Sequence, residues 1–173
     1  WKRCCRTATI GNIETPGDVG FVLYMIIPAT NILNKSPKLS NLYPSYGNIP
    51  QFQHNITATD ADNDSVTYQL TAAQSIGSAT PDYPIPVCEL SLTNFMSLPF
   101  TPGFSLQNLL NSNTPLTINA AGQLNAAGIP IGIFAFGITT RDYRNGQLIS
   151  SAHSELSTCI INGFVGINNT ASQ

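Results

Sequence analysis

GIFAFGITTRDYRNGQLIS, residues 132–150, decides the fold class. Two runs rich in β-branched and aromatic residues flank Arg144-Asn145-Gly146. Asn-Gly is among the strongest short hairpin signals, because a two-residue turn of the favoured hand needs positive φ at both positions. Two antiparallel strands are therefore expected, the second running on through SAHSELSTCIINGFVGI (151–167).

Working outward, PLTINAAGQLNAA (115–127) sets Leu116 and Ile118 on one side of an Ala-Gly turn and Leu124 on the other, a second hairpin. SVTYQL (65–70) alternates strictly, with Val66, Tyr68 and Leu70 on one face and Ser65, Thr67 and Gln69 on the other. TATIGNIE (7–14), GFVLYMIIP (20–28) and QFQHNITATD (51–60) also read as strands. Between Asn34 and Pro50 the prolines at 37, 44 and 50 restrict the chain to a loop or an edge. Residues 72–115, rich in Pro, Ser, Thr and Asn, read as a long irregular insertion in which FSLQNLLN (104–111) supplies the helical turn. Short strands with turns about every ten residues, and no βαβ alternation, predict an all-β fold: an antiparallel immunoglobulin-like sandwich with a Pro-rich insertion. One domain is expected over residues 1–167, with 168–173 as a tail or linker.

Composition narrows the function. Charged residues make up 9 % of the 173, with a net charge of −2, so no basic stripe is available for nucleic acid. The apolar run FVLYMII (21–27) is far shorter than a membrane span, and no membrane insertion is expected. Cys4, Cys5, Cys88 and Cys159 fit neither a zinc ribbon nor a redox CxxC spacing. They read as disulfide formers of an extracellular, cell-surface protein. Adjacent Cys4 and Cys5 are unsuited to each other, so one is expected to pair with Cys159 and the other with Cys88; the sequence leaves open which does which. The chain opens on Trp1, which fits a processed product or a piece of something longer.

Three of the six aspartates, Asp60, Asp62 and Asp64, fall on alternate positions of ATDADNDSVTYQL (58–70). Calcium takes six to eight oxygen ligands, and acidic side chains on alternate residues of a turn can converge on one ion, here with Asn63 and a carbonyl. The competing reading is an Asx-rich turn whose carboxylates bond nearby N–H groups.

The succession of Ser36-Pro37, ITATDADNDSVTYQL, LTINAAGQLNAA and GIFAFGITTRDYRNGQLIS resembles the cadherin-like and immunoglobulin-like modules of large Bacteroidetes surface proteins, gliding-motility-associated or adhesin-like. WKRCCRTATIGNI and RNGQLISSAHSELSTC resemble them more narrowly. The resemblance implies a calcium site between repeats, with Glu14, Asp60 with Asp62, and Asp142 in the ligand roles. RDYRNG offers Asp142 alone where cadherins carry an acidic pair. Asp64-Ser65-Val66 resembles an O-glycan acceptor motif of Bacteroidetes secreted proteins, which makes Ser65 a modification candidate. Sequons for N-linked sugar stand at Asn34, Asn55, Asn63 and Asn168.

Nothing in the chain matches GxSxG, HExxH or a phosphate-binding loop. His54 and His153 have no nucleophile or acid signature beside them, and carboxylate pairs such as Glu89 with Asp142 or Glu155 are what any nine acids would allow. The expectation is a non-catalytic structural or adhesive module of a bacterial cell-surface protein, stiffened by calcium at the DADND loop and meeting neighbouring domains or copies of the same protein. Two alternatives stand beside it. One is a carbohydrate-binding module that meets surface glycans through Tyr43, Tyr46, Tyr83 and Phe95. The other is a subunit of a self-assembling surface filament, with CIINGFVGI (159–167) adding as a strand.

Overall fold

The structure is a computed structural model that describes residues 2–3, 6–29, 31–40, 45–48, 51–76 and 95–161. Its strands are β1 (Lys2–Arg3), β2 (Phe21–Val22), β3 (Tyr24–Ile26), β4 (Lys38–Leu39), β5 (Ser45–Asn48), β6 (Gln51–Asn55), β7 (Ala58–Thr59), β8 (Ser65–Thr71), β9 (Gln74–Ile76), β10 (Phe95–Ser97), β11 (Thr114–Ile118), β12 (Gln123–Ala127), β13 (Gly132–Arg144) and β14 (Gln147–Ile161). The helical element among the described residues is a single 3-10 turn, Pro16–Asp18. No helix among them is long and apolar enough to cross a membrane.

The β13–β14 hairpin is the longest feature, paired from Gly132↔Ile160 to Arg144↔Gln147. Its tip is the expected Asn-Gly turn, with Asn145 at φ 52° and Gly146 at φ 78°, the mirror-image turn geometry that matches strand twist. β8 joins the free edge of β13 in antiparallel register. On the other edge of β14, β3 pairs antiparallel with Ser151–His153 and β5 pairs parallel with Thr158–Ile161. A second layer, β11–β12–β6, is antiparallel throughout and joins β5 through one residue pair, Asn48↔Gln51.

The two layers close over one core, an all-β sandwich. Phe52, Leu116, Leu124 and Ala126 from one layer meet Phe134, Phe136, Ile138, Leu156 and Ile160 from the other. Alternation sets these positions: on β13 the even residues face inward, while Ala135, Gly137 and Thr139 face the opposite side. That outer side is also covered. Ile10, Ile13, Ala73, Leu98 and Ala135 form a smaller apolar cluster there. The buried Asn12 side chain accepts from the Ala135 N–H at 2.9 Å and donates to its carbonyl at 2.7 Å.

Three expectations are corrected. TATIGNIE is not a strand: only Ile10 and Ile13 make isolated bridges, because burying residues three apart, with Asn12 inserted between them, requires a non-extended chain. FSLQNLLN forms turns and no helix. There Asn108 takes over the local bonding, accepting from Ser112 N–H at 2.9 Å while its amide donates to the Ser112 carbonyl at 3.0 Å, and Leu109 and Leu110 are buried in the main core. The expected insertion is ordered at its base, since β9 pairs with β10; residues 77–94 lie outside the described part.

Gly137 shows how close the outer packing is. A Cβ there would sit 2.3 Å from Thr71 Oγ1, 2.5 Å from His153 Cε1 and 2.8 Å from the Ala72 carbonyl oxygen. Gly137→Ala is expected to lower unfolding stability by about 2–3 kcal/mol, read as a drop in the urea midpoint with an unchanged slope.

Candidate functional site

The acid-rich loop and the hairpin tip meet at one end of the sandwich. Asp142 occupies the last inward position of β13 before a bulge between it and Tyr143, and it is 1 % exposed. Ser150 Oγ donates to its Oδ1, and Asn34 Nδ2 to its Oδ2 at 2.9 Å. Asp60 builds the loop: its Oδ1 accepts the N–H groups of Asp62 at 2.8 Å and Asp64 at 2.9 Å. Asn63 takes the left-handed φ of 61° that this tight return needs and that Asn tolerates.

The bulge and the turn direct Arg144 back onto this loop. Its Nε and Nη2 donate to the two Asp64 oxygens at 2.8 and 2.7 Å, the fork geometry that makes guanidinium–carboxylate pairs strong. This hydrogen-bonded guanidinium holds the Asp64 carboxyl below the usual carboxylate range, and Arg144 is raised in return. Asp62 Oδ2 lies 3.5 Å from Arg144 Nη2 and accepts the Lys35 N–H at 2.6 Å.

One carboxylate oxygen each from Asp60, Asp64 and Asp142 lies within 4.8 Å of the others. Asp60 Oδ2 is buried and has no hydrogen-bond partner. Three converging carboxylates with an orphaned buried oxygen fit a hard divalent cation. A cavity of about 410 Å³ adjoins them, lined in part by Asp60, Asn63, Asp64 and Tyr68.

Glu14, assigned a ligand role by the resemblance, does not join this set. Its N–H bonds to the Pro99 carbonyl, and Asn12, two residues before it, is clamped to Ala135. Ala135 precedes Asp142 by seven residues of extended strand, about 23 Å.

The other assigned residues are dispersed. Cys159 is half-buried and makes no disulfide among the described residues, and Cys4, Cys5 and Cys88 lie outside them. Asn55 is exposed at the end of β6, and Ser65 is exposed with its Oγ donating to the Tyr143 carbonyl at 3.2 Å. Phe95 stacks on Tyr24 at 4.4 Å, which makes it an anchor; Tyr43, Tyr83 and the Tyr46 side chain lie outside the described part. Glu89, the shared member of the carboxylate pairs with Asp142 or Glu155, lies outside the described residues.

A second polar cluster, on the outer face of the β13–β14 hairpin, was not expected from the sequence. Arg6, almost wholly buried, donates to both oxygens of Glu155 and to the carbonyls of Val19, Gly20 and Gln74. Removing one partner of such a pair typically costs about 3–5 kcal/mol, although the pair itself contributes little net stability. It acts as a clip that places the N-terminal segment on β14. Beside it, His153 stacks under Tyr24 at 5.2 Å, with Nδ1 3.4 Å from Thr139 Oγ1. Among the chain's few charges nothing marks Arg6 and Glu155 as partners, since 149 residues separate them.

No family model, curated protein or solved structure matches the chain.

Burial, with the Arg6 charge nearby, lowers the His153 pKa to about 4. The folded protein thus favours neutral imidazole. As pH falls below about 6.5 the unfolded chain takes up a proton that the native state refuses until about pH 4. Stability is therefore full above pH 6.5 and declines by about 3 kcal/mol towards pH 4. Urea unfolding at a series of pH values is expected to show this slope, and His153→Gln to flatten it.

Proposed function

We propose that the chain is a non-catalytic structural or adhesive module of an extracellular protein on a bacterial surface, with an acid-lined end that takes calcium. The observation that carries the calcium reading is the buried, unpartnered Asp60 Oδ2 beside Asp64 and Asp142. In this reading Asp60, Asp64 and Asp142 hold the ion, and the ion stiffens the end where the DADND loop, the hairpin tip and the 33–35 segment meet.

The module reading draws support from the strand order. One layer runs β11–β12–β6 and the other β5–β14–β13–β8. β5, which meets β6 of the first layer through one residue pair, lies parallel to β14, the last strand of the second, and the chain passes between layers from β6 to β8 and from β12 to β13, as in an immunoglobulin-like Greek key. The likeness to Bacteroidetes cadherin-like modules agrees with that order and with the scarcity of charge. Cysteine content supports an oxidising, extracellular location.

Self-assembly is favoured by a separate observation. Met25 and Ile26 on β3, and Ile27 just beyond it, are exposed apolar side chains in a chain stretch without charge, a composition prone to edge association. Ile27→Lys is expected to reduce association at high protein concentration, measured by sedimentation velocity. An unchanged distribution would remove this reading.

For calcium, thermal unfolding is compared with excess ion and with chelator. The wild type is expected to rise in Tm as calcium increases, and Asp60→Asn/Asp64→Asn to lose the response. A wild type that does not respond would leave the cluster as a purely structural turn.

A further inference from the structure

Leu33, Asn34 and Lys35 lead from the N-terminal segment towards β4, and side chains of the acid-lined end hold each of them. The Leu33 carbonyl accepts from Arg144 Nη1 at 2.9 Å. Asn34 Oδ1 accepts from Arg144 Nη2 at 3.2 Å, while its amide donates to Asp142. The Lys35 N–H donates to Asp62. No strand pairing adds to this hold among the described residues. The held segment displays Ile32 and Leu33, the latter 88 % exposed.

Arg144 therefore has two duties. One guanidinium neutralises Asp64 with a two-bond fork and bolts residues 33 and 34 to the sandwich. Its side chain is 33 % exposed, so it has open solvent to swing into. A divalent ion among Asp60, Asp64 and Asp142 needs an Asp64 oxygen, and the guanidinium occupies both. Like charges cannot share that carboxylate at ligand distance without strong repulsion.

We propose that Arg144 and a divalent cation compete for Asp64, so that cation binding releases Leu33 and Asn34 from Arg144 and loosens the segment that carries the exposed Ile32–Leu33 pair. This rests on the calcium reading above. The unpartnered Asp60 oxygen gives the ion a point of entry, and displacement of the guanidinium completes its shell. By linkage, whatever factor the bolt takes from cation affinity, the cation takes from the bolt.

The test is calorimetric titration of the wild type and Arg144→Gln with calcium chloride, together with amide hydrogen exchange of the wild type over residues 31–35 with and without the ion. Arg144→Gln is expected to bind calcium at least tenfold more tightly, and exchange over 33–35 in the wild type to quicken when calcium is added. Unchanged exchange in a wild type that binds calcium overturns the release, whatever the variant does. Equal or weaker affinity in the variant overturns the competition and leaves the calcium site standing. Absence of binding in both proteins overturns the latch and the calcium reading together.

Discussion

The pairing of β13 with β14 is the constraint from which the other parts take their positions. It is a hairpin buried on both faces, so every residue along it is committed to one of two environments. The inward side chains, Phe134, Phe136, Ile138, Leu156 and Ile160, close the sandwich core. The outward ones receive the N-terminal segment through Ala135, His153 and Glu155. A slip of one residue would exchange the two sets, placing Glu155 and His153 in the apolar core. The Asn145-Gly146 turn prevents that slip by locking the register at the tip.

Among the described residues the ion pairs stand at two places where a connecting segment is located on a finished sheet. Arg6 with Glu155 locates the first segment, and Arg144 with the aspartates locates the 33–35 connection. Neither arrangement needs to add much net stability, because desolvation offsets most of the attraction. The Arg6–Glu155 pair adds a unique docking geometry, since a misplaced N-terminal segment would leave a buried charge unpaired.

Much of the frame is legible in the amino-acid order. Both hairpin turns and the alternation of β8 follow from residue period and turn chemistry, and Val66, Tyr68 and Leu70 share the less exposed face as expected. The Asp60 turn was visible too, with its carboxylate returning to N–H groups two and four residues on. TATIGNIE alternates loosely yet forms no strand, because the Asn12 side chain supplies the bonding that a strand's backbone would otherwise find. Glu14, to which the resemblance gives a ligand role, stands on a segment that lies against the outer face of β13, far from the hairpin tip.

Local pattern in the sequence by itself determined the all-β class, the places of the main turns and the loop on which the aspartates sit, because those depend on residues within a few positions of one another. Tertiary structure alone decided that Asp64 converges with Asp60 and Asp142, that Arg144 turns back onto Asp64 and Asp62, and that Arg6 finds Glu155. Those meetings join residues about 80 to 150 positions apart. Such contacts are set by strand register and by which face each side chain takes, and neither is written in any one stretch of the chain.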